Sequence, residues 1–104
     1  MVVAHLFLYE EMQIATWNVN SINSRLEHIK SFLKNNPVNI LLIQELKCVN
    51  ESFPYEEINK IGYNSYVNGQ KAWNGVAILS KEKLSITNSR IPTFKNDFQS
   101  RFLE

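Results

Sequence analysis

The chain has 104 residues, 44% of them hydrophobic and 20% charged, with a formal net charge of +1. This is ordinary globular material for one small domain or a piece of a larger one. The near-neutral balance excludes a dedicated, strongly basic nucleic-acid coat, so any phosphate contact must be local.

Residues 1–11 (MVVAHLFLYEE) hold an apolar patch with His5 inside it. The patch is too short to span a bilayer, no basic segment precedes it, and no membrane partner is expected. Met12 stands directly before a strong strand pattern, so residues 1–11 are expected to be an N-terminal extension outside a domain formed by residues 12–104. Gln13 to Asn18 (QIATWN) has the β-branched and aromatic content of a strand. An Asn-rich connection follows. Ser24 with Glu27 three residues later reads as a capping box, and Leu26, Ile29, Phe32 and Leu33 mark one face of a helix over 24–35. Asn35, Asn36 and Pro37 stop it. Asn39 to Gln44 is a continuous apolar strand of the kind buried on both faces of a layered fold. Strand, helix and strand in some 30 residues make a βαβ unit and imply α/β layering.

In the second half, Pro54 to Lys60 reads as a short helix closed by Gly62. Strands are expected over Tyr63–Val67 and Gly75–Ser80, with the turn dipeptides Asn68-Gly69 and Asn74-Gly75 between them. Leu84 to Arg90 alternates weakly, and a last strand begins at Arg101.

Glu45 is attached directly to the end of a buried run, where an unpartnered carboxylate is costly. Ligands of open α/β sheets bind beyond the carboxyl ends of the strands, and Asn18 ends the other strand of the same βαβ unit. The two side chains should therefore emerge side by side. A carboxylate beside a carboxamide is an all-oxygen site, suited to a hard cation such as Mg²⁺. The plainer alternative is that Glu45 pairs with Lys47 or with a lysine elsewhere on the surface. Cys48 is the single cysteine, which rules out an internal disulfide and fits a reducing, cytoplasmic setting. His5 and His28 suggest no role.

IATWNVNSINSRL (14–26), LLIQELK (41–47) and FPYEEINKIGYNSYVNGQKAWNGVAILSK (53–81) together resemble the exonuclease III family of apurinic/apyrimidinic endonucleases, within the endonuclease/exonuclease/phosphatase superfamily. The resemblance covers nearly everything after Met12, in order and spacing. It implies an α/β fold, the N-terminal part of a four-layered α/β sandwich, incomplete at its C-terminal side. It also implies Mg²⁺-dependent phosphodiester hydrolysis, with Mn²⁺ as the alternative metal, on duplex DNA at abasic sites and 3′ ends in DNA repair. By this resemblance Glu45 matches the metal-binding glutamate, and Asn18 the asparagine beside the metal and the scissile phosphate. Both count as catalytic and metal-site candidates. Asn20 falls where some members carry an aspartate. Lys71, Trp73 and Arg101 are the nucleic-acid-binding candidates, Trp73 as a base-stacking surface, whereas Trp17 inside a strand is expected in the core.

The sequence departs from the family at several points. Leu46 stands where a threonine is frequent, and Asn23-Ser24 where Arg-Ala is usual, which removes a phosphate contact. The later Asp-x-Asn and Ser-Asp-His elements have no counterpart, since Asp97 is the only aspartate. Two functions follow as expectations. One is an exonuclease III-like repair nuclease, truncated and inactive as an isolated chain. The other is a non-catalytic remnant that self-associates and binds metal or nucleic acid weakly at most. Sphingomyelinases, inositol-phosphate phosphatases and deadenylases share the metal glutamate, but WNVNSI and GQK favour the DNA-repair branch.

Overall fold

A computed structural model of the chain describes residues 4–9, 12–70 and 74–85. Five strands form one mixed sheet in the order β1-β2-β3-β5-β4, with β1 Ala4–Tyr9, β2 Met12–Asn18, β3 Ile40–Gln44, β4 Asn64–Asn68 and β5 Val76–Ser80. Helices α1 (Leu26–Asn35) and α2 (Tyr55–Lys60) and a short 3₁₀ turn, Asn50–Ser52, complete the described elements. β2 and β3 run parallel, in register from Ile14–Ile40 to Asn18–Gln44. A parallel pair needs a crossover, and α1 supplies it. The remaining pairings are antiparallel. The elements expected after Met12 appear within two residues of their predicted bounds. The expectations over 86–90 and from Arg101 onward lie outside the described residues.

Three expectations meet a different structure. Residues 1–11 were expected outside the domain, but the backbone of Ala4–Tyr9 pairs with β2 along its whole length, from Ala4–Trp17 to Tyr9–Met12. The physical reason is an open sheet edge. β2 has one side taken by β3, and an adjoining extended segment satisfies the other row of backbone groups. Ser24 is not the cap of α1. The helix starts at Leu26 without a side-chain cap, and Ser21 acts one turn earlier, its Oγ accepting the Ser24 N–H at 3.3 Å. The Ser24 hydroxyl accepts from Ser21 Oγ at 3.1 Å, and Glu27 pairs with Lys30 at 3.4 Å. Finally, β3 is not buried on both faces. Leu41 and Ile43 are enclosed, while Ile40, Leu42 and Gln44 are half-buried.

That asymmetry locates the core. Ala15, Trp17, Leu41, Ile43, Ala77 and Leu79 turn one face of the sheet toward Ile29 and Leu33 of α1 and Ile58 of α2. Trp17 is 8% exposed and meets the Phe32 ring edge-on, centroids 5.4 Å apart, as its position inside a strand predicts. Its Nε1 finds no hydrogen-bond acceptor, a cost of about 1–3 kcal/mol. By strand alternation the opposite face carries Ile14, Thr16, Leu42, Gln44 and Ile78, all half-buried.

Candidate functional site

The parallel register sets Asn18 beside Gln44 at the carboxyl ends of β2 and β3, so the chain leaves both strands at the same level. The two departing segments stay together. Val19 N–H donates to Gln44 O at 3.0 Å, Ser21 N–H to Glu45 O at 2.9 Å and Ile22 N–H to Leu46 O at 3.0 Å. The other flank of the Glu45 segment is bound to the turn before β5. Leu46 N–H donates to Gly75 O at 3.1 Å, and Lys47 N–H to Asn74 O at 3.0 Å. Leu46 is 0% exposed and pins the segment into the core. Glu45 therefore projects from a backbone braced on both sides.

The backbone around it is unusual. Asn20 (φ 49°), Glu45 (φ 55°), Lys47 (φ 54°) and Asn74 (φ 59°) are all non-glycine residues in the left-handed region. Glu45 and Lys47 have no local side-chain hydrogen bond to ease that conformation, which costs on the order of 1 kcal/mol each. Had the strand continued in extended form, Glu45 would have pointed to the face opposite Gln44 and its register partner Asn18. The left-handed kinks redirect the chain so that Glu45 and Lys47 reach Asn18 and Asn20, with buried Leu46 between them.

The side chains form two cross-strand pairs. Asn18 Nδ2 donates to Glu45 Oε2, and Lys47 Nζ donates to Asn20 Oδ1. The Asn20 N–H closes the set by donating to Asn18 Oδ1 at 3.2 Å. One residue earlier, Gln44 Nε2 donates to Thr16 Oγ1 at 2.8 Å and extends the polar surface along the half-buried sheet face. The expected neighbours Asn18 and Glu45 are thus in contact. The alternative pairing of Glu45 with Lys47 does not occur. Among the described residues the ion pairs are those of Lys30 with Glu27 and Glu57.

A hard divalent cation fits this donor set in a limited way. No group of three or more His, Cys, Asp or Glu side chains gathers among the described residues. Glu45 offers one carboxylate, of which Oε2 takes the Asn18 amide. Because the Asn18 amide nitrogen faces Glu45 and its oxygen accepts from Asn20, Asn18 orients the carboxylate. It would add a second oxygen to the same cation only after a half-turn of its amide. A single carboxylate with water filling the remaining positions suits Mg²⁺ or Mn²⁺, and does not suit a structural zinc.

Lys71, Trp73 and Arg101 lie outside the described residues. The preceding loop is tightly constrained. A side chain at Gly69 would place its Cβ 2.4 Å from Cys48 O, so only glycine permits the close approach in which the Gly69 N–H donates to Asn50 Oδ1 at 2.6 Å. The expected tight turn at Asn74-Gly75 has positive φ at both residues, whereas Gly69 serves proximity. Cys48 is buried, and burial pushes its thiol up, away from the reactive thiolate. His28 is exposed. The Asn20–Lys47 pair is the feature that reading along the chain missed. Its signal was the repeated spacing, Asn18-x-Asn20 opposite Glu45-x-Lys47.

Comparison with known proteins identifies the family and the fold. The Endonuclease/Exonuclease/phosphatase family matches residues 15–102. Exodeoxyribonuclease III of Haemophilus influenzae is 29% identical over 92 residues, 88% of this chain and 34% of that protein. A Neisseria 3′ phosphatase, NExo, solved with a product DNA hairpin, superposes with a TM-score of 0.82 at 38% identity, covering 88% of this chain and 36% of that one. An AP endonuclease from Archaeoglobus fulgidus gives a TM-score of 0.71 at 44% identity over 73% of this chain and 30% of its own. The chain thus spans about a third of the length of these relatives. With most of its length matched, the chain belongs to the endonuclease/exonuclease/phosphatase family.

Proposed function

We propose that this chain carries the metal-binding side of an exonuclease III-like DNA-repair nuclease, acting on phosphodiesters at abasic sites and 3′ ends. The observation that carries the reading is the contact between Glu45 and Asn18 at the carboxyl ends of the parallel pair β2–β3. Glu45 would hold Mg²⁺ or Mn²⁺, and Asn18 fixes the carboxylate's orientation. When bound, such a cation supplies charge stabilisation on the phosphate and leaving oxygen. The relatives' printed activities on DNA, the product hairpin included, support duplex DNA as partner. Lys71, Trp73 and Arg101 are its proposed contacts. A reducing, cytoplasmic setting fits the single buried thiol.

Hydrolysis also needs a positioned water and a base for its proton. Asp97 is the only aspartate, and neither histidine is near the site in sequence. The reading therefore includes inactivity of the 104 residues by themselves. Purified 1–104 with Mg²⁺ is expected to leave an abasic-site duplex intact, as is its Glu45→Ala variant. Cleavage by the unmodified chain that is lost in the variant would overturn the inactivity. In calorimetry, weak Mg²⁺ binding should be weakened further by Glu45→Gln than by any other single change. Equal binding by the variant would remove Glu45 from the metal site.

A further inference from the structure

A cavity of about 540 Å³ opens between α2 and the edge strand β4, a size that suits a small molecule. Asn64 on its wall pairs with Ser80, and Ser80 pairs with Ile40 at the amino end of β3. The cavity is therefore level with the start of the parallel pair, about 13 Å along the strands from Asn18 and Gln44. It is separate from the strand-end site.

Its wall combines an aromatic surface with unpaired charge. The Tyr55 ring is braced by Phe53, centroids 4.9 Å apart, yet stays 41% exposed. Lys60 and Lys83 bring two ammonium groups, and among the described residues the ion pairs belong to Lys30. Glu56 is the one carboxylate on this wall, so two lysines less one glutamate leave a net charge of +1. The exposed Asn59 carboxamide makes no hydrogen bond among the described residues and keeps both its donor and its acceptor. Tyr66 Oη accepts the Leu84 N–H at 2.6 Å and retains its own proton. Ser65, paired with Leu79, turns toward the α2 side, and its buried Oγ has no partner. A buried hydroxyl left unsatisfied is destabilising, and a polar ligand atom in the cavity would relieve it.

We propose that this cavity is a binding site for a nucleoside monophosphate. The base stacks on Tyr55, Asn59 reads its edge, and Lys60 and Lys83 take the phosphate. A ring without an anion would leave both ammonium groups unused, and a bare anion would leave the aromatic wall uncovered. A carboxamide with donor and acceptor both free matches the N6 and N7 edge of adenine, which selects the adenine nucleotide. Glu56 accepts from the ribose hydroxyls. Nothing in this arrangement depends on Glu45 or on a cation.

The test is calorimetric titration of the 104-residue chain with 5′-AMP, adenosine and inorganic phosphate, with EDTA present so that no divalent cation takes part. Saturable binding of 5′-AMP is expected, with adenosine and phosphate each weaker by about tenfold or more. Replacing both lysines, Lys60→Met with Lys83→Met, should weaken 5′-AMP by at least about tenfold and leave adenosine unchanged. Tyr55→Leu should weaken 5′-AMP and adenosine but not phosphate. All three positions are exposed, so the fold is expected to survive, and an unchanged circular dichroism spectrum checks this. Glu45→Gln should bind 5′-AMP as the unmodified chain does. The proposal is overturned if 5′-AMP does not bind, if adenosine binds equally well, or if the double lysine variant keeps full affinity. A loss of 5′-AMP binding in Glu45→Gln would place the nucleotide at the strand ends and overturn it too.

Discussion

Tyr63 joins the start of β4 to the segment before β3 through one atom. Its Oη donates to Val38 O at 2.6 Å, and both residues are buried. Tyr63→Phe leaves that carbonyl without its donor and is expected to destabilise the chain by about 1–3 kcal/mol in urea denaturation. Burial also holds the phenol above the ordinary tyrosine range. A folded-state pKa raised above the unfolded one gives stability that is present below the unfolded value and lost as pH rises through the folded one. The unmodified chain should therefore weaken in strong alkali more than the Phe variant, and an equal loss in both would count against this contribution. Glu45 was legible at this scale because a carboxylate ending an apolar run needs an explanation. The Asn20–Lys47 contact was harder to read, because it depends on left-handed backbone at Glu45 and Lys47, residue types that seldom adopt it.

Among the elements, the βαβ unit was the most legible, since the apolar period changes from strand to helix and back within one short stretch. The edge strand β1 was not. Its residues carry an apolar pattern that suits a strand, but pairing with β2 is decided by the free edge that β2 offers. Removal of residues 1–11 is expected to lower the melting temperature by several degrees, as the loss of one strand pairing worth about 1 kcal/mol would do. It should also speed hydrogen exchange at the β2 amides that face β1, leaving those facing β3 protected. Unchanged exchange along β2 would show that β1 contributes nothing in solution. The missing cap of α1 has a similar origin: Ser21 follows its own hydrogen bond to the Glu45 carbonyl and reaches the Ser24 amide first.

At the scale of the whole molecule the sheet is unevenly covered. The face bearing Ala15, Leu41 and Leu79 is packed under α1 and α2, while Ile14, Leu42 and Ile78 on the other face remain half-buried. Partly exposed apolar side chains on adjacent strands favour self-association. Sedimentation of 1–104 at tens of micromolar should show species larger than the monomer. Leu42→Lys, placing a charge at the middle of that face, should shift them toward monomer, and a monomer at all concentrations in both chains would reject this face as the contact. The short strands, the two helices and the orphaned Trp17 Nε1 agree with modest stability.

Local chemistry alone was enough to determine the strand–helix–strand order, the family wording of the two strand ends and the prominence of Glu45. Each depends on periodicity or on one residue in a stretch of a few neighbours. Which side chains meet at the strand ends was decided only when the parallel register put Asn18 level with Gln44 and the two exits became hydrogen-bonded to each other. The same holds for the orientation of the Asn18 amide, the separation of Glu45 from Lys47 and the exposure of one sheet face. These are relations between segments some 27 residues apart, as in the Asn18–Glu45 and Asn20–Lys47 contacts, and no local pattern in the chain encodes the angle at which they meet.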